Sequence, residues 1–373
     1  MVLQSGTKRI LKLTPDGLEQ ILDVLHKIGF ETIGPTLGND AIVYETIGSI
    51  DDLPQGWTDK QEPAAYRIIK RNDQAYFGFN AAPQSWKRFL YPPYRTLFRI
   101  RRKGKGLEFM EQEENTAELA LIGVRPCELE AITIQERVFT SSEQRDDSYL
   151  AVRKKLFIIA VNCTSSGGNC FCASMNTGPH AKENFDLALT EVVNANEHFF
   201  IVEIGSETGL SVIHDVESAE PTEDEVETAA GLVRQAESQI RKLDLDTTPK
   251  LLSANLEHPE WDEVSKRCLA CGNCTMVCPT CFCSTVEDTT DLSGKLAERR
   301  RRWDSCFTLD FAKVAGGNFR TSPRSRYRQW LTHKLSSWVD QFGKSGCVGC
   351  GRCITWCPVG IDITAEVQKI TGT

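Results

Sequence analysis

The sequence has no cysteine before residue 127, and its 6 histidines (His26, His180, His198, His214, His258 and His333) are scattered. No histidine cluster therefore points to an imidazole-held catalytic metal. No G-x-G-x-x-G follows a strand and no G-x4-G-K-[ST] loop occurs, which excludes the familiar nucleotide-binding turns. HExxH and GxSxG are absent too, and no Ser/His/Asp set stands out. Apolar runs such as 156–161 are far too short to span a bilayer. The opening segment MVLQSGTKRILKLTPDG lacks an apolar core of signal-peptide length. The expectation is a soluble protein of a reducing cytoplasm with no membrane association. There, clustered cysteines bind metal or do redox chemistry more often than they form disulfides.

What is present is uneven. The 373 residues are 40% hydrophobic and 25% charged, close to an ordinary globular protein and long enough for two domains. Of 15 cysteines, 11 lie between Cys268 and Cys357, and an odd count fits a disulfide framework poorly. Residues 1–245 hold 26 Lys+Arg against 37 Asp+Glu, whereas residues 246–373 hold 17 against 14. The overall charge of -8 argues against nucleic-acid binding. The basic stretch 295–334, with Arg299 to Arg302 at its heart, reads as a solvated face, as compensation for negatively charged clusters nearby, or as an electrostatic docking face for a partner.

Thr14-Pro15 opens a helix whose apolar positions Leu18, Ile21, Leu22, Leu25 and Ile28 recur at helical spacing. Apolar β-rich stretches follow at 41–44, 119–124, 156–161, 199–204 and 211–216, with a helix expected over 126–139. Thr222 and Glu225 have capping-box spacing. The fold class expected is α+β: a mixed α/β domain over 1–248, then a mainly helical dicluster ferredoxin domain over 249–373. Helical signals at 296–302 and 326–338 fill the space between the cysteine motifs of that second domain.

Those motifs are Cys268-x2-Cys271-x2-Cys274-x3-Cys278-Pro279 and Cys347-x2-Cys350-x2-Cys353-x3-Cys357-Pro358. Both have the C-x2-C-x2-C-x3-C-P form of bacterial ferredoxins, in which the fourth cysteine ligates the other cluster. Cys268, Cys271, Cys274 and Cys357 are thus expected on one 4Fe–4S cluster, and Cys347, Cys350, Cys353 and Cys278 on a second. Paired zinc sites fit two complete four-cysteine repeats less well.

A sparser group precedes them. Cys127 sits where a strand meets a helix, Cys163 ends the next strand, and a glycine-containing loop brings back Cys170 and Cys172. Four thiols at the carboxyl ends of neighbouring strands can hold a third 4Fe–4S cluster. Buried free cysteines and a zinc site are the competing readings. Cys281, Cys283 and Cys306 read as small fillers beside a cofactor or as an alternative ligand. The segment 85–94, with its aromatics, basic residues and Pro92-Pro93, reads as a packed surface loop or a partner contact.

The segments Glu257-His258-Pro259-x-Trp261-Asp262-Glu263, Lys266-x-Cys268-Leu269-Ala270-Cys271-Gly272 and Cys278-Pro279-Thr280-Cys281-x-Cys283 resemble the beta subunit of soluble sulfhydrogenases. These are NAD(P)-linked NiFe hydrogenases. Arg300-Arg301-Arg302-Trp303-Asp304-Ser305-Cys306 and Cys347-Val348-Gly349-Cys350-Gly351-Arg352-Cys353 extend the likeness. The electron-transfer subunit of anaerobic sulfite reductase is similar, less closely. The resemblance implies an iron–sulfur subunit without a catalytic site, carrying electrons between a hydrogenase module and a flavin- and NAD(P)-binding diaphorase subunit. That module comprises a NiFe large subunit with a small iron–sulfur subunit. The resemblance also favours the third cluster at Cys127, Cys163, Cys170 and Cys172. A sulfite reductase subunit, or a self-sufficient reductase of sulfur compounds, is the alternative.

Overall fold

The computed structural model describes residues 9–111, 117–141 and 145–372. Its largest sheet has seven strands in the spatial order Ile10–Leu13, His198–Ile204, Leu187–Val193, Leu156–Val161, Leu119–Val124, Glu31–Leu37, Ile42–Thr46. The four strands from Leu187–Val193 to Glu31–Leu37 are parallel, and antiparallel strands close both edges. Parallel strands are covered on both faces, which is why LALIGV and LFIIAV read as continuous apolar runs. Helices Pro15–Lys27 and Pro126–Phe139 bury Leu18, Ile21, Leu22, Leu129 and Ile132 in this layer. The carboxyl ends of such strands are where open α/β sheets bind ligands. Cys127 and Cys163 both follow strand ends there.

Two expectations fail. Residues 211–214 belong to a helix, Glu207–His214, and 215–216 follow its end, so the stretch is not a strand. Ser206 caps it by accepting the Gly209 N–H at 2.9 Å, so a local terminus signal outweighs a short apolar run. Residues 296–302 form a strand, Leu296–Trp303, not a helix. It lies between Ser284–Thr290 and Tyr94–Lys103 in a four-stranded sheet completed by Gly106–Glu111. The hairpin turn is set by Asp291, whose carboxylate accepts the Lys295 and Leu296 N–H groups at 2.9 and 3.0 Å. Strands from both sides of residue 248 thus share one sheet.

The arginine run sits on that central strand, and carboxylates from the neighbouring strand, from the strand itself and from a helix cap neutralise it. Arg299 meets Asp288 at 2.7 Å, Arg302 meets Glu287 at 3.2 Å, and Arg300 pairs with Glu298. Arg301 is bound to Asp146 at 2.5 Å and lies 3.8 Å over the Tyr91 ring. Its partners are therefore carboxylates rather than the cysteine loops.

The C-terminal part packs helices Thr248–Ala254, Glu260–Arg267, Pro323–Thr332 and Ile363–Thr371 around Trp261, Phe307, Tyr327, Trp330 and Leu335. Between Pro323–Thr332 and Trp338–Phe342 the chain makes a π-helical turn over His333–Ser337. Such turns are uncommon inside helices and are frequent at functional sites. This one aims Lys334 at the cysteine loops.

Candidate metal centres

The two C-x2-C-x2-C loops have matching backbones. Ala270 and Gly272 in the first, and Gly349 and Gly351 in the second, all have positive φ, at 52°, 75°, 65° and 73°. Ala270 bears a strained left-handed conformation that its counterpart glycine adopts freely. The gain is local: the Ala270 N–H reaches Cys268 Sγ at 3.4 Å and the Gly349 N–H reaches Cys347 Sγ at 3.5 Å. Gly272 and Gly351 then start the short helices Asn273–Met276 and Arg352–Thr355, which carry the third cysteines. Ile361 N–H reaches Cys357 Sγ at 3.3 Å. Backbone donors turned onto sulfur are what an anionic iron–sulfur cluster requires of its cradle.

The fourth cysteines cross over. Cys357 lines the same small cavity as Cys268, Cys271 and Cys274, beneath Phe307, Tyr327 and Trp330. Burial pushes the Cys274 thiol well up, and Cys268, Cys357 and Cys271 add to the effect. The Cys353 thiol is likewise raised by burial, then by Cys347, Cys350 and Cys278. Cys274 and Cys353 are thus packed away from water beside other thiols, where thiolates are unfavourable unless cations bind them, whereas Cys271 is exposed. Both groups fit a 4Fe–4S cluster, which takes four thiolates.

The N-terminal cysteines come together in part. Cys163, Cys170 and Cys172 are mutual neighbours: burial raises Cys170, with Cys172 and Cys163 adding to it. Burial and Cys163 likewise push Cys172 up to about 12. Gln239 Nε2 donates to Cys172 Sγ at 3.3 Å. A Cβ at Gly167 would lie 3.2 Å from Cys170 Sγ, and one at Gly178 would lie 3.1 Å from Cys172 Sγ, so both glycines leave room for these sulfurs. Cys127, at the start of helix Pro126–Phe139, has Cys350 of the second ferredoxin loop and Cys172 as neighbours.

Direct contacts bind this loop to the second ferredoxin loop. Phe171 N–H donates to Gly349 O at 2.8 Å, Thr177 Oγ1 to Val348 O at 2.7 Å, and Asn169 Nδ2 to Thr355 Oγ1 at 2.8 Å. Beside them lies a fully buried ion pair between Glu128 and Arg352, the residues that follow Cys127 and precede Cys353. Arg352 also donates to Ala82 O at 2.6 Å and Gln84 O at 3.1 Å.

Sequence reasoning missed two lysines. Lys334 Nζ lies 3.3 Å from Cys278 Sγ and 2.8 Å from Thr280 Oγ1. Lys87 Nζ donates to Cys278 O and Cys281 O, each at 3.0 Å, and sits 3.8 Å over the Trp303 ring. Its segment 85–94 is no surface loop: Trp86, Lys87, Leu90 and Tyr91 are all buried. A lysine flanked by Trp86 and Phe89 was the available signal for an inward-facing cation.

Residues 267–361 match the 4Fe-4S dicluster domain family. Over 366 residues, 97% of this chain and 98% of the relative, the sequence is 28% identical to sulfhydrogenase 2 subunit beta of Pyrococcus furiosus. The resemblance drawn from the cysteine segments therefore extends across nearly the whole chain. The chain is an iron–sulfur protein similar to a sulfhydrogenase beta subunit. Among the described residues no helix is long and apolar enough to cross a membrane.

Proposed function

We propose that the chain is a cytoplasmic electron-transfer subunit, linking an NAD(P)H-oxidising flavoprotein subunit to a NiFe hydrogenase module. The observation that carries this reading is the direct backbone contact between the Cys170–Cys172 loop and the second ferredoxin loop. It joins the N-terminal group of thiols to those of the second ferredoxin loop. Cys268, Cys271, Cys274 and Cys357 hold one 4Fe–4S cluster, and Cys347, Cys350, Cys353 and Cys278 hold another. Cys127, Cys163, Cys170 and Cys172 hold a third. When bound, these groups supply one-electron redox chemistry, and the protein supplies position and environment. Trp330, Phe307 and Tyr327 form a buried aromatic wall of the first site. Lys334 sets a positive charge beside Cys278, and main-chain N–H groups of Ala270, Gly349 and Ile361 hold the sulfurs in place. Residues 1–248 and 249–373 act as the two units that this contact joins.

The test is an iron count on the native complex, with EPR spectra recorded as each subunit is removed. Three 4Fe–4S clusters at these twelve cysteines require Cys163→Ser to lower the count by about 4 iron atoms while the dicluster signals persist. An unchanged count removes the N-terminal cluster. Oxidation of NAD(P)H or reduction of sulfite by the isolated chain overturns the relay reading.

A further inference from the structure

Three cysteines lie outside the sets above, and all three line one cavity of about 580 Å³. Cys281 and Cys283 come from the segment that leaves Cys278-Pro279, and Cys306 follows the strand Leu296–Trp303. Strand pairing brings them together. Ser284 faces Trp303 across the sheet, and the Asp304 N–H donates to Cys283 O at 2.8 Å. Cys283 neighbours Cys306, and Cys281 neighbours both Cys278 and Cys283. Each of the three is partly exposed.

The surroundings carry positive charge in excess. Lys334 and Lys87 are only 6% and 3% exposed. Their ammonium groups are bonded to carbonyls, a hydroxyl and a thiol: Thr280 Oγ1, Gly346 O and Cys278 Sγ for Lys334, and Cys278 O and Cys281 O for Lys87. The cavity itself is lined by Lys334, Arg320 and Arg301 against one carboxylate, Asp146, which is paired with Arg301; this excess of positive charge favours a negatively charged occupant. A single zinc ion draws four donors to about 2.0–2.3 Å and needs no cavity of this size. An iron–sulfur cluster is bulkier, takes thiolates and is anionic in character.

We propose that Cys281, Cys283 and Cys306 would hold a further 4Fe–4S cluster through three thiolates, leaving one iron without a protein thiolate. This uses none of the twelve cysteines of the relay, so the two readings stand or fall separately.

The test uses the full chain, reconstituted anaerobically with ferrous iron and sulfide. The double variant Cys283→Ser/Cys306→Ser is expected to lose about 4 iron atoms per chain relative to wild type and to keep the dicluster EPR signals. Brief native treatment of wild type with iodoacetamide, followed by peptide mass spectrometry, is expected to leave these three cysteines unlabelled in the loaded chain. They should be labelled in the chelator-stripped chain. Equal iron content in a folded variant, or labelling of the three in the loaded wild type, overturns the proposal. If the variant does not fold, the wild-type labelling decides. Absence of the dicluster signals from wild type would instead sink the relay reading and leave the labelling result readable.

Discussion

The main-chain N–H of Phe171 donates to the carbonyl oxygen of Gly349 at 2.8 Å, so the loop holding Cys170 and Cys172 is stitched to the loop holding Cys347 and Cys350. A Cβ on Gly349 would fall 2.6 Å from the Cys172 nitrogen and 2.7 Å from its Cα, and Gly349 has φ +65°. The approach is possible only because residue 349 has no side chain.

Gly349→Ala is therefore expected to destabilise the fold by about 1–3 kcal/mol and to lower iron content. Gly343→Ala is the control. Its φ is +69°, but nothing lies within 4 Å of the added carbon, so only the conformational cost of about 1 kcal/mol applies. Denaturant unfolding of the two variants, with iron assay, measures the difference. Equal losses would mean that the close approach contributes nothing.

Glu128 and Arg352 are 1% and 0% exposed at their side chains. Removing one partner leaves a buried charge uncompensated, which costs about 3–5 kcal/mol. Arg352→Met should cost more than Glu128→Gln, because Arg352 also serves the carbonyls of Ala82 and Gln84. The double variant should be less destabilised than the sum of the singles, and a double-mutant cycle checks it.

Lys334 places its ammonium group 3.3 Å from Cys278 Sγ. A positive charge favours the reduced, more negative state of a nearby iron–sulfur cluster. Lys334→Met should move one midpoint potential of the dicluster domain downward, and Lys334→Arg should restore part of the shift. Redox titration followed by EPR reads both. An unmoved potential in a fully loaded Lys334→Met chain would contradict the assignment of Cys278.

Asp146 caps helix Asp147–Arg153 and ties it to the central strand through Arg301. Burial alone would raise its pKa. Hydrogen bonds from the Ser148 side chain, the Tyr149 N–H and the Arg301 guanidinium outweigh burial and hold it below the ordinary value. A carboxyl lowered on folding contributes stability above its unfolded pKa, near 3.9, and loses it as pH falls through the lower folded value. Wild type should lose this contribution below about pH 4, and Asp146→Asn should lack that part of the acid dependence. Unfolding midpoints between neutral pH and pH 3 test it.

Much of the site was legible because its geometry is local. The positive φ values at Ala270, Gly272, Gly349 and Gly351 and the N–H contacts to Cys268 and Cys347 span two or three residues, so spacing alone announces them. The same holds for the Thr14 and Thr222 caps and for the helix Pro126–Phe139. The strand Leu296–Trp303 was misread because its composition favours a helix; one partner, Ser284–Thr290, is its hairpin neighbour, but the other, Tyr94–Lys103, lies about 200 residues away. Lys87 was overlooked for the same reason: its acceptors are the carbonyls of Cys278 and Cys281.

The sequence by itself determined that two ferredoxin-type motifs are present, that a sparser group of four cysteines precedes them, and which ordinary enzyme chemistries are missing. Cysteine spacing encodes a ligand loop because a cluster's first three thiolates come from seven consecutive residues. Only the tertiary structure decided that Cys127 neighbours Cys350 and Cys172, that Glu128 pairs with Arg352, and that Cys281, Cys283 and Cys306 share a cavity. These relationships join residues far apart in the chain. They depend on sheet pairing and on the packing of one buried layer against another, which no local pattern records.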